Sequence, residues 1–125
     1  MQLSKSSIDR RKSPRVWMYL PLEYQMKYAI RTCGGFIIDA SETGFHIYST
    51  EDVRIGTALK IDVLFPKNYE LANLEVVAEV VWKKVIVDRR GKGYQYGLKI
   101  VQILEEDSRV LRKLLSDRSP REGSS

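Results

Sequence analysis

Leu74-Glu75-Val76-Val77-Ala78-Glu79-Val80-Val81-Trp82-Lys83-Lys84-Val85-Ile86-Val87 is the stretch that decides the fold. Leu74, Val76, Ala78, Val80 and Trp82 recur at every second position, with Glu75, Glu79 and Lys83 between them. A period of two is that of a strand with one face in a core. The segment Asp88-Arg89-Arg90-Gly91-Lys92-Gly93 follows, and its glycines predict a hairpin loop. Tyr94, Tyr96, Leu98 and Ile100 then alternate as a last strand.

Working back from this hairpin, Leu59, Ile61, Val63 and Phe65 alternate with Lys60 and Asp62, a fourth strand that Pro66 is expected to end. Ile55-Gly56 marks a bend, and Phe45 to Ser49 reads as a strand. Asp39 to Gly44 reads as a tight turn, behind the short apolar run Phe36-Ile37-Ile38. Leu20 to Tyr28 alternates as the first strand, and residues 1–15 form a flexible basic arm. Downstream the pattern changes once. Val110, Leu111, Leu114 and Leu115 lie at helical spacing behind Glu105, Glu106 and Asp107, which complement a helix dipole. Residues 116–125 are expected to be a disordered tail. The fold expected is all-β with one helix: an antiparallel barrel of about six strands over residues 16–115, closed by a C-terminal helix.

The 125 residues suffice for one core, and 43% hydrophobic with 30% charged residues is a globular composition. No apolar run approaches the roughly 20 residues of a membrane helix, and Met1 to Lys12 does not read as a secretory signal, so no membrane partner is expected. The single cysteine, Cys33, allows no internal disulfide, and a cytoplasmic setting is the simplest expectation. Twenty-one basic against 16 acidic residues leave a charge of +5. Arg10, Arg11, Lys12 and Arg15 crowd the arm and suggest an anionic partner.

Catalysis finds little support. His46 is the one histidine, sits in a strand without metal-ligand spacing around it, and reads as a surface or packing residue. There is no nucleophile elbow, phosphate loop or dinucleotide fingerprint. The chain reads as a non-enzyme with no metal and no cofactor.

Two segments remain. Arg11-Lys12-Ser13-Pro14-Arg15 has the spacing RxxxR, preceded by Arg10; Asp39-Ala40-Ser41-Glu42-Thr43-Gly44 has the spacing DxSxxG. Each alone is common. In this order, ahead of a barrel pattern, they resemble the PilZ domain family. Arg15-Val16, Ile55-Gly56-Thr57, Val80-Val81-Trp82, Tyr96-Gly97-Leu98-Lys99-Ile100 and the helix from Glu105 to Leu115 are similar to the family as well. The family's six-stranded barrel with a C-terminal helix agrees with the periodicity.

The resemblance implies a cyclic di-GMP receptor that changes its surface on binding and signals to a partner protein as yet unidentified. Arg11 and Arg15 match the family's motif arginines. A guanidinium can grip a phosphate bidentately, stack on a base, or donate to guanine O6 and N7. Asp39 and Ser41 match positions facing the other side of a guanine, where an acceptor suits the N–H donors of the Watson–Crick edge. Gly44 is expected to supply backbone geometry or close approach, and Gly97 is counted with the ligand-binding residues. In the family, a long basic residue before RxxxR goes with an intercalated pair of ligands, so Arg10 implies two molecules per chain, with one as the alternative. Two rivals stay open: a PilZ-like protein-interaction module without ligand, and a receptor for a mixed guanine–adenine cyclic dinucleotide. Single-stranded nucleic acid is disfavoured, because Tyr24, Tyr28, Tyr94 and Tyr96 fall at strand periodicity rather than along a basic groove.

Overall fold

The alternating segments form a ring of antiparallel strands in the computed structural model, which describes residues 14–26 and 28–121. The elements are β1 (Val16–Met26), β2 (Cys33–Ala40), β3 (Gly44–Ser49), β4 (Ala58–Lys67), β5 (Glu70–Asp88), β6 (Gly91–Gln102) and α1 (Glu105–Ser116). Their order around the ring is β1-β2-β3-β6-β5-β4, and β4 pairs back onto β1 to close the barrel. The period of two has its predicted consequence inside. Leu20, Leu22 and Tyr24 of β1, Leu59, Ile61 and Val63 of β4, and Leu74, Val76, Ala78 and Val80 of β5 all point into one core. Leu111 and Leu114 of α1 join that core from outside the ring, as the helical spacing predicts. Cys33 is buried there too. Tyr24 is wholly enclosed with its hydroxyl 2.7 Å from Ser49 Oγ, and burial pushes its phenol up to about 12.

Several boundaries differ from expectation, each for a local reason. Pro66 does not end β4. It lies beyond Val63, the last β4 residue paired with β1, so one side of the strand is open there and the missing N–H is tolerated. The strand instead turns at Asn68-Tyr69, both in left-handed conformation with φ of 51° and 67°, between the paired residues Lys67 and Glu70. Two consecutive positive φ values are those of a type I′ hairpin. The β5–β6 loop is likewise tighter, with only Arg89-Arg90 outside the ladder. In β1 the strand starts at Val16, ahead of Leu20. Val16 and Met18 are buried in step with Leu20, but Trp17 and Tyr19 between them are also apolar, so no alternation of polarity marks them, and an extra residue between Trp17 and Leu20 shifts the pairing with β2. The turn after β2 is confined to residues 41–43, and Asp39 and Gly44 belong to strands.

The tail expected from residue 116 onward also needs correction. Ser116 is helical, and the chain then doubles back against the start of β1. Trp17 N–H donates to Ser119 O at 3.1 Å, Arg121 N–H donates to Arg15 O at 2.9 Å, and Val16 bridges Pro120. Residues 118–121 thus form a short strap beside the root of the arm. Backbone pairing holds it, and hydrophobic patterning carries no trace of that.

Candidate functional site

Asp39 is the focus of the outer face of β1, β2, β3 and β6. It stands opposite Trp17 on β1 and His46 on β3. An extra residue in β2 between Ile37 and Asp39 shifts the register there, a bulge of the kind that re-aims side chains beside functional sites. The carboxylate is fully buried, which is costly unless every oxygen is paired. Its partners meet that need. Arg15 Nε donates to Oδ1, and His46 Nδ1 lies 2.9 Å from Oδ2. Arg121 Nη1 lies 3.7 Å from the same Oδ2, at ion-pair range. Burial pushes the Asp39 carboxyl up, but the hydrogen bonds from His46 and Arg15, with Arg15's charge, outweigh it and hold the group below the ordinary value.

Arg15 carries the contact outward. Its Nη2 reaches the carbonyls of Asp39 and Gly44 at 3.4 and 3.5 Å, and its side chain keeps 31% of its surface exposed. On the other side the chain of contacts continues inward along the sheet. His46 Nε2 is 2.9 Å from Gln95 Oε1 on β6, and the imidazole lies 5.2 Å from the Trp82 ring.

Trp82 was expected in the core, on the face of Leu74 to Val80. It is not there. Val80 pairs with Leu98 but Trp82 pairs with Gly97, so Val81 is an extra residue that turns Trp82 to the outer face. Gly97 makes that possible. A Cβ on Gly97 would collide with the Trp82 indole, so the glycine lets the ring lie flat over the neighbouring strand. Gly44 serves a comparable end, since a Cβ there would run into the Leu98 carbonyl and force β3 away from β6.

These residues line one cleft of about 690 Å³, which holds Arg15, Asp39, Gly44, His46, Trp82 and Gly97, with Gln95, Lys84, Lys99 and Arg121 around them. Of the sequence-predicted residues, Arg15, Asp39, Gly44 and Gly97 are brought together. Ser41 is not part of the lining: its Oγ accepts from the Thr43 N–H at 3.2 Å, and its own N–H donates to Gly44 O at 2.9 Å, so it braces the turn. Arg10 and Arg11 lie outside the described residues. Among the described residues, the cationic side chains Arg15, Lys84, Lys99 and Arg121 and the carboxylate of Asp39 line this cleft. An open, positively charged hollow with an aromatic wall suits an anionic ligand with flat bases.

Sequence reading missed His46, Trp82, Gln95 and Arg121. The first and third were within reach, because Phe45 and Ile47, and Tyr94 and Tyr96, point inward and leave His46 and Gln95 facing out. Arg121 had no signal, because a backbone bridge places it.

The comparisons with known proteins agree with this architecture. The chain resembles the inhibitor of motility MotI/DgrA of Bacillus subtilis at 16% identity and a TM-score of 0.67, over 86% of this chain and 50% of that one. It resembles the PilZ domain of YcgR from Escherichia coli, solved with c-di-GMP, at 16% identity and a TM-score of 0.63, over 87% of this chain and 91% of that one. With PlzA of Borreliella burgdorferi, also solved with c-di-GMP, the identity is 11% and the TM-score 0.57, over 94% and 59% of the two chains. The chain spans about half the length of the motility inhibitor. No curated protein matches it. The profile of the PilZ domain matches residues 9–117, nearly the whole chain, and the chain belongs to the PilZ domain family.

Proposed function

We propose that this domain is a non-catalytic receptor for cyclic di-GMP, and that the ligand occupies the cleft over Asp39. The observation that carries the reading is the Arg15–Asp39–His46 cluster: a buried carboxylate and a half-exposed guanidinium, preset side by side at the two motif positions. Arg15 would take a phosphate or a guanine edge, and Asp39 would accept from guanine's Watson–Crick donors once Arg15 turns from Oδ1 to the ligand. Trp82 supplies a flat apolar wall for a base. The positive charge that Arg15, Lys84 and Lys99 bring to the cleft lining suits a ligand with phosphates. Arg10 and Arg11 are assigned to the same ligand from their place in the arm, with two molecules per chain expected from Arg10. Ser41 and Gly97 contribute by bracing the turn and seating Trp82. A partner protein that recognises the occupied face completes the proposal.

Micromolar binding needs about 8 kcal/mol, and a few charge-assisted hydrogen bonds at roughly 1.5–3 kcal/mol each, with stacking, reach it. The test is titration calorimetry with cyclic di-GMP, beside the mixed guanine–adenine dinucleotide and linear GMP. Saturable, preferential binding of cyclic di-GMP is expected, with two molecules per chain. Arg15→Ala should cost about 2–4 kcal/mol of binding. Silence toward every cyclic dinucleotide would leave the family's protein-interaction role as the reading of this domain, and unchanged affinity in Arg15→Ala would remove Arg15 from the site.

A further inference from the structure

We infer that the free edge of the β5–β6 hairpin is a self-association surface, which pairs with the same edge of a second copy of this chain; the inference does not depend on what the cleft binds. β5 outruns its neighbour β4. The two strands pair only as far as Ala58 and Glu79, and beyond them Gly56 N–H donates to Val80 O and Val80 N–H donates to Thr57 O. From there β5 continues to Asp88, paired with β6 alone among the described strands. An edge of this kind offers main-chain donors and acceptors to another strand. Asp88 and Gly91 flank the two-residue loop, and the pair that closes such a loop exchanges both its hydrogen bonds. Alternation then turns the main-chain groups of Ile86 and Lys84 toward β6 and those of Val85 and Val87 outward. Both valines are exposed, at 50% and 73%, and no proline interrupts residues 81–88.

This edge is complementary to itself. Antiparallel pairing sets outward-facing residues opposite one another, so Val85 of one copy meets Val87 of the other, and the outward N–H and C=O groups of both are bonded. In that register Ile86 faces its own counterpart on a two-fold axis, and Lys84 faces Asp88 of the second copy. Sliding the pairing by one step either way sets Lys84 against Ile86 or Arg90 instead, and the charge pair is lost. A lysine on an edge ordinarily repels an incoming strand; here it selects one register. A two-fold pair uses up both edges and stops at two copies. Trp82 and Lys84 share one face of the hairpin and both line the cleft, so the two clefts open on the same side of the joined sheet. Residues 84–88 on each side make a small interface, so association depends on concentration.

Sedimentation velocity of the full chain over a range of concentrations tests this. The mass should rise from one chain toward two and no further. Val85→Pro removes an outward N–H without touching the bonds to β6, so it should fold, as cooperative thermal unfolding would show, and associate about tenfold or more weakly. Lys84→Glu and Asp88→Lys should each weaken association, and the double variant should restore it, because the pair forms again with its signs exchanged. A chain that stays single at every concentration overturns the proposal, the edge then being open to a different partner. A mass that climbs past two copies contradicts the closed pair. A pair that survives Val85→Pro and both charge reversals uses another surface. Should Val85→Pro fail to fold, the charge reversals decide alone, and a double variant that does not recover the pair contradicts the register.

Discussion

The inside of the barrel and the outer face around Asp39 are built from the same strands by different rules. Inside, side chains obey a strict alternation, and each position needs only an apolar residue of suitable size. On the outer face every member of the site has a particular partner: Asp39 has Arg15 and His46, His46 has Gln95, and Trp82 has Gly97. Of the four register shifts in the sheet, those at residues 17–20, 37–39 and 80–82 border this face, and they turn Asp39 and Trp82 to where the site needs them. Regularity makes the fold, and local departures from it make the site.

That contrast can be broken experimentally. The largest effect is expected inside. Ile61 on β4 is fully buried and pairs with Tyr24 on β1 and Val76 on β5, well along those strands from Trp17 and Trp82, so Ile61→Ala should cost about 3–4 kcal/mol in urea unfolding. Ligand affinity of the folded domain should stay within about twofold, because distant sites are nearly independent. A large loss of affinity in that variant would show that core and site are not separable.

A smaller effect is expected at the seam between the regions. Asp39→Asn leaves Arg15 half-exposed and able to regain water, so it should cost about 2 kcal/mol of stability, less than a fully buried broken pair. The pH dependence sharpens this. Asp39 titrates below its ordinary value when folded, so its stabilisation is complete above about pH 4 and is lost as the pH falls through the folded value. The unaltered domain should therefore lose stability on acidification more steeply than Asp39→Asn. Parallel acid limbs for the two would contradict the pairing described here.

The same contrast explains what could be read from the sequence. The strands were legible wherever Leu, Ile, Val and Tyr alternate without interruption, as in Leu59 to Phe65 and Tyr94 to Ile100. The first four residues of β1 were not, since Val16, Trp17, Met18 and Tyr19 are all apolar or aromatic and show no alternation of polarity, although their burial alternates. Arg15, Asp39 and Gly44 were legible as motif positions. Trp82 was misplaced because one extra residue, Val81, reverses every inward and outward assignment after it. The strap has no signal in the sequence, because Ser119 to Arg121 are held by main-chain bonds to Arg15 and Trp17, and main-chain bonds leave no mark in side-chain chemistry.

The most direct test of the central claim uses the chain's only two tryptophans: Trp82 in the cleft wall, and Trp17, which pairs opposite Asp39 and packs against Arg121. Their indole N–H resonances should be followed in a two-dimensional nitrogen–proton NMR spectrum as cyclic di-GMP is added. The account predicts that both indole signals shift and saturate together, with the backbone signals of Asp39, His46 and Gly97. Binding that leaves both indoles unmoved would place the ligand elsewhere on the barrel and contradict the site described here.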